Sequence, residues 1–375
     1  LSPLFKEYYD EYWDDQLTKQ RITFWTVSQK YEMRSKEKLD QPIPNIRTFT
    51  GSSTEHVTAL NQYCLDFNNK FYHASHFHFI PSFVGATKYY KGFDHVMKKL
   101  KKFKRGFCMD ARKFDQSQSP YLLRKNYKMR ARYLNIDDPD ELRRFLRIYE
   151  ETIKSTIVLE DGSIYETPGG MKSGCGNTIV DNTLTLCRLL YCSFIKLAPN
   201  DEFRSYSYFV ENVIMFLNGD DSIISASEDV LKWWNPETIL PFIKKFGIEF
   251  TCEKGITEVE NLDFLNSTFK KIDGVYLAQP NIQKLTSGLL YNPKSKHPLY
   301  VLLKLCNYRI EMWSYPELRK IINAMIQEWI RSYIKPDDQL VINQDEPSMN
   351  LNDVLHNYIS ERNLNYLYYG TETFG

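Results

Sequence analysis

The spacing of apolar and polar residues changes several times along the chain, and each change predicts an element. Gly106-Phe107-Cys108-Met109 is a short apolar run that closes on Asp110, the pattern of a strand ending in an acidic turn. Ser119 followed by Pro120 predicts a helix start, continued over 121–134. Segments 156–158 and 163–165 flank Glu160-Asp161-Gly162 and read as a hairpin. A glycine-rich loop over 168–176 leads into a long apolar helix over 177–196. Strands over 213–217 and 222–226 enclose a tight Asn218-Gly219-Asp220-Asp221 turn, and Asn235-Pro236 opens a helix that stops at Gly247. Beyond Lys284 the pattern is helical, with Leu302, Leu303, Leu305, Ile321, Ile322, Met325, Ile326 and Trp329 as the expected core. The first hundred residues read as short aromatic strands between basic segments, one of them carrying His73, His76 and His78. No repeat or low-complexity linker interrupts this order, so one continuous body is expected, with strands and helices alternating in its centre and a helical tail.

Composition narrows the function classes. With 375 residues and 42% hydrophobic content the chain can bury one large multi-lobed core or two domains. A formal net charge of +1 argues against a binder driven by a basic tail, but is compatible with cations lining one groove. Seven cysteines without C-x-x-C spacing predict neither a zinc site nor a disulfide framework, and fit a reducing compartment. The three clustered histidines lack a cysteine or carboxylate at ligand spacing. No run of about 18 apolar residues predicts a membrane span, and no signal peptide is legible. A start at Leu1 instead of Met suggests excision from a longer precursor or trimming.

The acidic residues carry the first candidate chemistry. Asp110 at a strand end and the Asp220-Asp221 pair in a hairpin turn sit on rigid platforms, with Gly219 permitting the tight turn. Three such carboxylates in one sheet suit two hard divalent cations about 4 Å apart, which would assist deprotonation of a 3′-hydroxyl and neutralise charge on phosphates. Alone, Gly-Asp-Asp is also an ordinary hairpin turn. Between the two acidic sites lies a second set, S-G-x-x-x-T-x-x-x-N, formed by Ser173, Gly174, Thr178 and Asn182. Thr178 and Asn182 are four apart, on one helix face, where a hydroxyl and an amide can pair with Asp115 and with a ribose 2′-OH. Lys30, Arg34, Lys36 and Lys38 alternate as if on one strand face, and Arg47 follows in a strand-like segment, an arrangement suited to triphosphate or template phosphates. Lys98 to Arg105 reads as a basic helix surface, and Lys254 as a candidate general acid for departing pyrophosphate or a plain surface lysine.

In this order, these residues resemble the RNA-dependent RNA polymerases of positive-strand RNA viruses, nearest to the potyvirus-like nuclear inclusion replicases and more distantly to astrovirus and picornavirus polymerases. Lys30 to Lys38 with Arg47-Thr48-Phe49-Thr50 is similar to the motif that meets the incoming nucleotide. Segments 66–72 and 87–90 resemble a potyvirus-group fingers segment. Asp110 to Asp115, Ser173 to Leu184 and Asn218 to Asp221 resemble the three palm motifs. Phe264 to Phe269 resembles the primer-grip hairpin, while 313–318 and 367–370 are similar to the thumb and carboxyl end.

The resemblance implies an α+β right-hand polymerase fold, with a palm of antiparallel sheet and helices, fingers and a helical thumb. The expected boundaries are fingers over 1–104, palm over 105–275 with a fingers insertion around 137–167, and thumb over 276–375. It implies catalysis by Asp110, Asp220, Asp221 and Lys254, with metal held by the three aspartates. It further implies nucleotide binding by Lys30, Arg34, Lys38, Arg47, Asp115, Ser173, Gly174, Thr178 and Asn182. Mg²⁺ is the implied cofactor, with Mn²⁺ as a substitute. RNA template, primer and NTPs are the implied partners, joined by a protein-linked primer and other viral replication proteins, in the host cytoplasm at viral replication sites. By the same resemblance much of the family's amino-terminal region before the entry motif is expected to be absent, and 196–208 matches no family segment. Three other readings stay open: a reverse transcriptase, a catalytically inactive or truncated palm-fold RNA-binding protein, and a structural protein with an accidental turn.

Overall fold

The computed structural model describes residues 2–18, 22–30, 36–42, 46–291, 295–341, 348–356 and 358–370. They group into two compact units. The first draws on Leu1–Lys30, Glu37–Ala86 and Lys99–Phe264, and the second on Tyr31–Lys36, Thr87–Lys98 and Leu265–Gly375.

The first unit holds two sheets. In one, β1 (Phe24–Gln29) lies between β2 (Thr48–Gly51), antiparallel to it, and β4 (Ser155–Val158), parallel to it. The predicted hairpin joins β4 to β5 (Ile164–Thr167). In the other sheet the order is β6 (Val213–Asn218), β7 (Asp221–Ala226), β3 (Arg105–Arg112) and β8 (Glu249–Thr251), with β9 (Thr257–Glu258) also on β3. Around these pack α1 (Pro3–Thr18), α3 (Thr54–His76), α6 (Pro120–Leu134), α7 (Pro139–Ile153), α8 (Thr178–Leu197), α9 (Tyr206–Asn212) and α11 (Pro236–Lys244). Shorter helices are α2 (Lys36–Leu39), α5 (Phe114–Ser117) and α10 (Glu228–Leu231), and a last strand, β10, covers Asp263–Phe264. Phe107, Met109 and Ile224 from the second sheet meet Leu186, Leu189, Leu190 and Phe194 from α8 in one buried cluster with Trp234. Burying each such side chain contributes roughly 1.5–3 kcal/mol, so the sheet and α8 are locked together, and with them the loops at their ends. Local signals explain several starts. Pro236 follows the N-cap Asn235, whose side chain forms a reciprocal capping box with Thr238. Asp138 caps α7 through Asp140 N–H at 2.8 Å.

In the second unit β11 (Ser267–Ile272) and β12 (Val275–Pro280) form an antiparallel hairpin. Helices α12 (Ile282–Leu290), α13 (Pro298–Glu311), α14 (Pro316–Tyr333), α15 (Leu351–Leu355) and α16 (Glu361–Tyr369) follow, and α4 (Gly92–Leu100) begins among its residues. Leu299, Leu302, Leu305, Cys306, Ile322 and Ile326 are central to its buried cluster.

Three expectations are corrected here. The strand expected around His73 to His78 is the end of α3, a 23-residue helix that stops at His76, and the turn after it; the helix also carries buried Ala59, Leu60, Tyr63 and Cys64. Its aromatic run was too short to separate the two periods. On α14, Ile321 and Met325 are 56% and 41% exposed, because Ile322 and Ile326 take the inward face. Lys36 lies on helix α2, not on a strand. Among the described residues no helix is long and apolar enough to cross a membrane.

Candidate active site

Strand β3 alternates, with Phe107 and Met109 turned into the core and Asp110 exposed. It also runs two residues past Asp110, to Arg112, because β8 continues the pairing: Asp110 opposes Thr251. On its other side the last ladder pair is Met109 with Ser222. One step beyond that pair stand Asp110 and Asp221, both on the face opposite Met109 and Ser222, where directly opposed cross-strand Cβ atoms lie about 4.5–5.5 Å apart. Asp220 occupies the turn between β6 and β7. Gly219 precedes it with φ +70°, the left-handed region that favours glycine. Its N–H donates to Thr183 Oγ1 of α8 at 2.8 Å, so the helix grips the turn directly. Sequence reasoning missed Thr183, whose partner is 36 residues away and leaves no local signal.

Asp115 and Asn182 come together as expected: Asn182 Nδ2 donates to Asp115 Oδ1 at 2.5 Å. The preceding loop is stitched to the same place, with Met171 N–H donating to the Asp115 carbonyl at 2.7 Å and Gly170 N–H to the Gln118 carbonyl at 2.9 Å. Thr178 does not join the pair. Its hydroxyl turns back to the carbonyls of Lys172, at 2.6 Å, and Cys175, at 2.8 Å, the usual competition of threonine for nearby backbone. Gly174 is needed for packing: a Cβ there would stand 2.0 Å from the Thr50 carbonyl oxygen of β2. Ser173 beside it is half-buried.

Among the basic residues, Arg47 bears on the carboxylates. Burial pushes the Asp220 carboxyl above its ordinary range, the charges of Asp115 and Asp110 add to that, and Arg47 opposes it. Lys30 is tied to the same segment by its N–H, which donates to the Arg47 carbonyl at 2.9 Å. Arg34 and the side chain of Lys38 lie outside the described residues. Lys254 is held by Asp263, with Nζ 2.6 Å from its carboxylate and 2.8 Å from the Asn261 carbonyl. The basic run before β3 is largely matched by acidic partners: Lys101 by Glu260, Lys104 by Glu258 and Arg105 by Glu228.

The donor set suits a hard divalent cation, since such ions take carboxylate oxygens and the charges of Asp110 and Asp115 reach the buried Asp220. The three carboxylates nonetheless do not form a closed cage. Among the described residues, no group of three or more His, Cys, Asp or Glu side chains stands where it could hold an ion.

Lys172 is a second residue that sequence reasoning missed. It is 5% exposed and donates Nζ to the carbonyls of Gly169, at 3.0 Å, and Gly170, at 2.9 Å. Burial pushes its ammonium pKa down from 10.5 to about 8, against a small opposing contribution from Cys175. Below about pH 8 the folded and unfolded chains both hold this proton; between about 8 and 10.5 only the unfolded chain does. Stability therefore rises with pH across that window, by ~2 kcal/mol from about pH 8 to 10. Urea unfolding of the parent and of Lys172→Met should differ by that pH-dependent increment. Parallel pH profiles for the two proteins would show that the ammonium is not buried as described.

Comparison with known proteins gives a consistent result. The sequence profile of the family described as viral RNA-dependent RNA polymerase matches residues 9–356. The genome polyprotein of Soybean mosaic virus (strain G2) is 30% identical over 295 residues, which cover 78% of this chain and 9% of that polyprotein. The genome polyprotein of Peanut mottle virus (strain M) is 31% identical over 312 residues, 82% of this chain and 9% of the polyprotein. The chain thus spans about a tenth of the length of these relatives. Among solved structures, the Sicinivirus 3Dpol RNA dependent RNA polymerase superposes with a TM-score of 0.69 at 15% identity, covering 88% of this chain and 67% of that one. The two share the α+β right-hand polymerase fold.

Proposed function

The chain belongs to the viral RNA-dependent RNA polymerase family, and we propose that it carries out template-directed RNA synthesis from NTPs by two-metal nucleotidyl transfer. The observation that carries this reading is that Asp220, in the turn one step past the β3–β7 ladder, feels the charges of Asp110, Asp115 and Arg47, with Asp115 held by Asn182. Asp110, Asp220 and Asp221 would hold Mg²⁺, or Mn²⁺ in its place, which when bound supplies a lowered pKa for the 3′-hydroxyl and neutralises phosphate charge. Asn182 occupies one oxygen of Asp115, so the carboxylate is oriented to accept a hydrogen bond from a ribose hydroxyl. Arg47, with Lys30, Arg34 and Lys38, would meet the triphosphate. To hand a proton to departing pyrophosphate, Lys254 must leave Asp263.

In this reading 1–104 form fingers, 105–275 the palm with a fingers insertion around 137–167, and 276–375 the thumb. Template, primer and NTPs are the partners, with a protein-linked primer and other replication proteins at viral replication sites in the host cytoplasm.

Primer extension on a short RNA hairpin, with Mg²⁺ or Mn²⁺ and with NTPs against dNTPs, tests the reading. Extension with NTPs supports it; a preference for dNTPs would mean a reverse transcriptase, and a folded protein that binds RNA without extending it an inactive palm. Asn182→Ala removes a hydrogen bond to a charged group, a loss of about 1.5–3 kcal/mol, so the preference for NTPs should fall roughly 10–100-fold. An unchanged ratio would take Asn182 out of sugar reading.

A further inference from the structure

Gln118 carries an uncharged polar side chain at a place the fold buries almost completely, with 1% exposure. Its Nε2 donates to Asn182 Oδ1 at 2.5 Å. That oxygen belongs to the same amide whose nitrogen donates to Asp115 Oδ1, also at 2.5 Å. The Gln118 backbone is fixed as well, since its carbonyl accepts the Gly170 N–H at 2.9 Å. Its own Oε1 is buried and has no hydrogen-bond partner among the described residues. Donors and acceptors therefore run in one direction, from Gln118 through Asn182 to Asp115.

The two ends of an asparagine amide have almost the same shape, so packing alone does not choose between them. An ionised carboxylate only accepts, and the amide must turn its NH₂ end to Asp115 if it is to orient that group. This leaves Asn182 Oδ1 pointing into a buried region; Asn182 is 4% exposed. A buried carbonyl without a donor is unfavourable, and Gln118 supplies the donor. We propose that Gln118 is a positioning residue for sugar selection, holding the Asn182 amide with its NH₂ end toward Asp115. The proposal rests on Asp115 and Asn182 reading the ribose, and assigns the step before it: Gln118 itself touches no nucleotide.

Two substitutions separate this role from simple packing. Gln118→Met keeps an unbranched side chain of similar length and removes the donor. Gln118→Glu keeps the shape and, read at a pH high enough to ionise it, offers only acceptors, so Asn182 then lies between two carboxylates and its NH₂ end can face only one. The readout is the ratio of kcat/KM for an NTP over the matching dNTP in primer extension by the full chain, on variants first checked for a parent-like thermal transition. Gln118→Met should lower the ratio about tenfold, and Gln118→Glu at least as far. Adding either change to Asn182→Ala should lower it no further, because the residue being positioned is already gone. Equal losses for both nucleotides with an unchanged ratio would overturn the proposal, as would losses that multiply in the double variant. If Asn182→Ala itself leaves the ratio unchanged, the sugar-reading assignment has failed and the role of Gln118 falls with it. If Asn182→Ala narrows the ratio and neither Gln118 variant does, only the role of Gln118 is wrong. Where Gln118→Met does not fold, Gln118→Glu alone decides.

Discussion

Asp220→Ala is expected to lower nucleotide incorporation by about 10³-fold or more while leaving the protein at least as stable as the parent. The first half follows from the proposed chemistry. A ligand carboxylate lost from the turn removes several kcal/mol of charge stabilisation at the reacting phosphate, and each 1.36 kcal/mol is a factor of ten. The second half follows from the crowding at the site. Burial raises the Asp220 carboxyl above its ordinary 3.8, with Asp115 and Asp110 adding to the effect. Between 3.8 and the raised folded value the native chain holds more of this proton than the unfolded chain. Stability therefore falls as pH rises through that window, and at neutral pH the ionised group is a net cost. Alanine removes the cost, and the turn keeps its Gly219 geometry and the grip of Thr183. The checks are primer extension and the thermal midpoint, both in chelator-treated protein and after adding Mg²⁺. Parent-like extension by the variant would sink the metal assignment. A sharply lowered midpoint without metal would show that Asp220 is a structural residue and that its raised carboxyl was misread.

The residues whose places were legible in the sequence are those fixed by local rules. The short, mostly apolar segments on either side of Asn218 to Asp221 are bounded sharply enough by the turn residues to predict β6, the turn and β7 within a residue. The hairpin of β4 and β5, the long α8 and the capped start of α11 were also visible, because turn glycines, helical spacing and N-cap chemistry act over a few residues. The pairing of Asp115 with Asn182 was expected from the helix face of Thr178 and Asn182 and from the order of the motifs, and the Asn182 half of it is present. What stayed hidden is tertiary. Gln118, just before the helix start at Ser119, and Lys172, in the glycine-rich loop, escaped notice because nothing near them in sequence says they are buried. Thr178 was assigned to the sugar by its helical phase, yet a hydroxyl one turn from free loop carbonyls bonds to them first. The aromatic stretch before Phe79 was read at period two, while the deciding signal lay upstream, in the helical spacing of Ala59, Leu60, Tyr63 and Cys64.

Helix α8 also depends on a buried ion pair whose disruption should be the largest single loss of stability in the first unit. Arg130 of α6 and Asp181 of α8 both have fully buried side chains. Nε and an Nη of Arg130 donate to the same Asp181 oxygen at 3.0 and 2.9 Å, and Tyr149 of α7 donates its hydroxyl to the other oxygen at 2.5 Å. Asn126 adds a bond from Nδ2 to the Asp181 carbonyl at 3.0 Å, and the guanidinium lies 4.6 Å from the Phe67 ring centre. Burial acts most strongly on Arg130 and against its charge, but Asp181, Cys64 and Tyr149 together outweigh it, so the guanidinium is held more firmly protonated than usual; burial and Asp181 both push the Tyr149 hydroxyl upward. Arg130→Met strands the Asp181 carboxylate in the interior and should cost about 3–5 kcal/mol, read as a lower urea midpoint of the first cooperative transition. Arg130→Met combined with Asp181→Leu should recover much of that loss, since two apolar side chains need no partners. The pair then contributes less to total stability than to holding α6, α7 and α8 in one register, with Asn182 one residue along from the charge. The folded double variant should discriminate NTP from dNTP less well than the parent, because α8 is free to settle differently. Parent-like discrimination in a fully stable double variant would reduce the ion pair to a stability device and leave the Asn182 geometry to Gln118 and the loop alone.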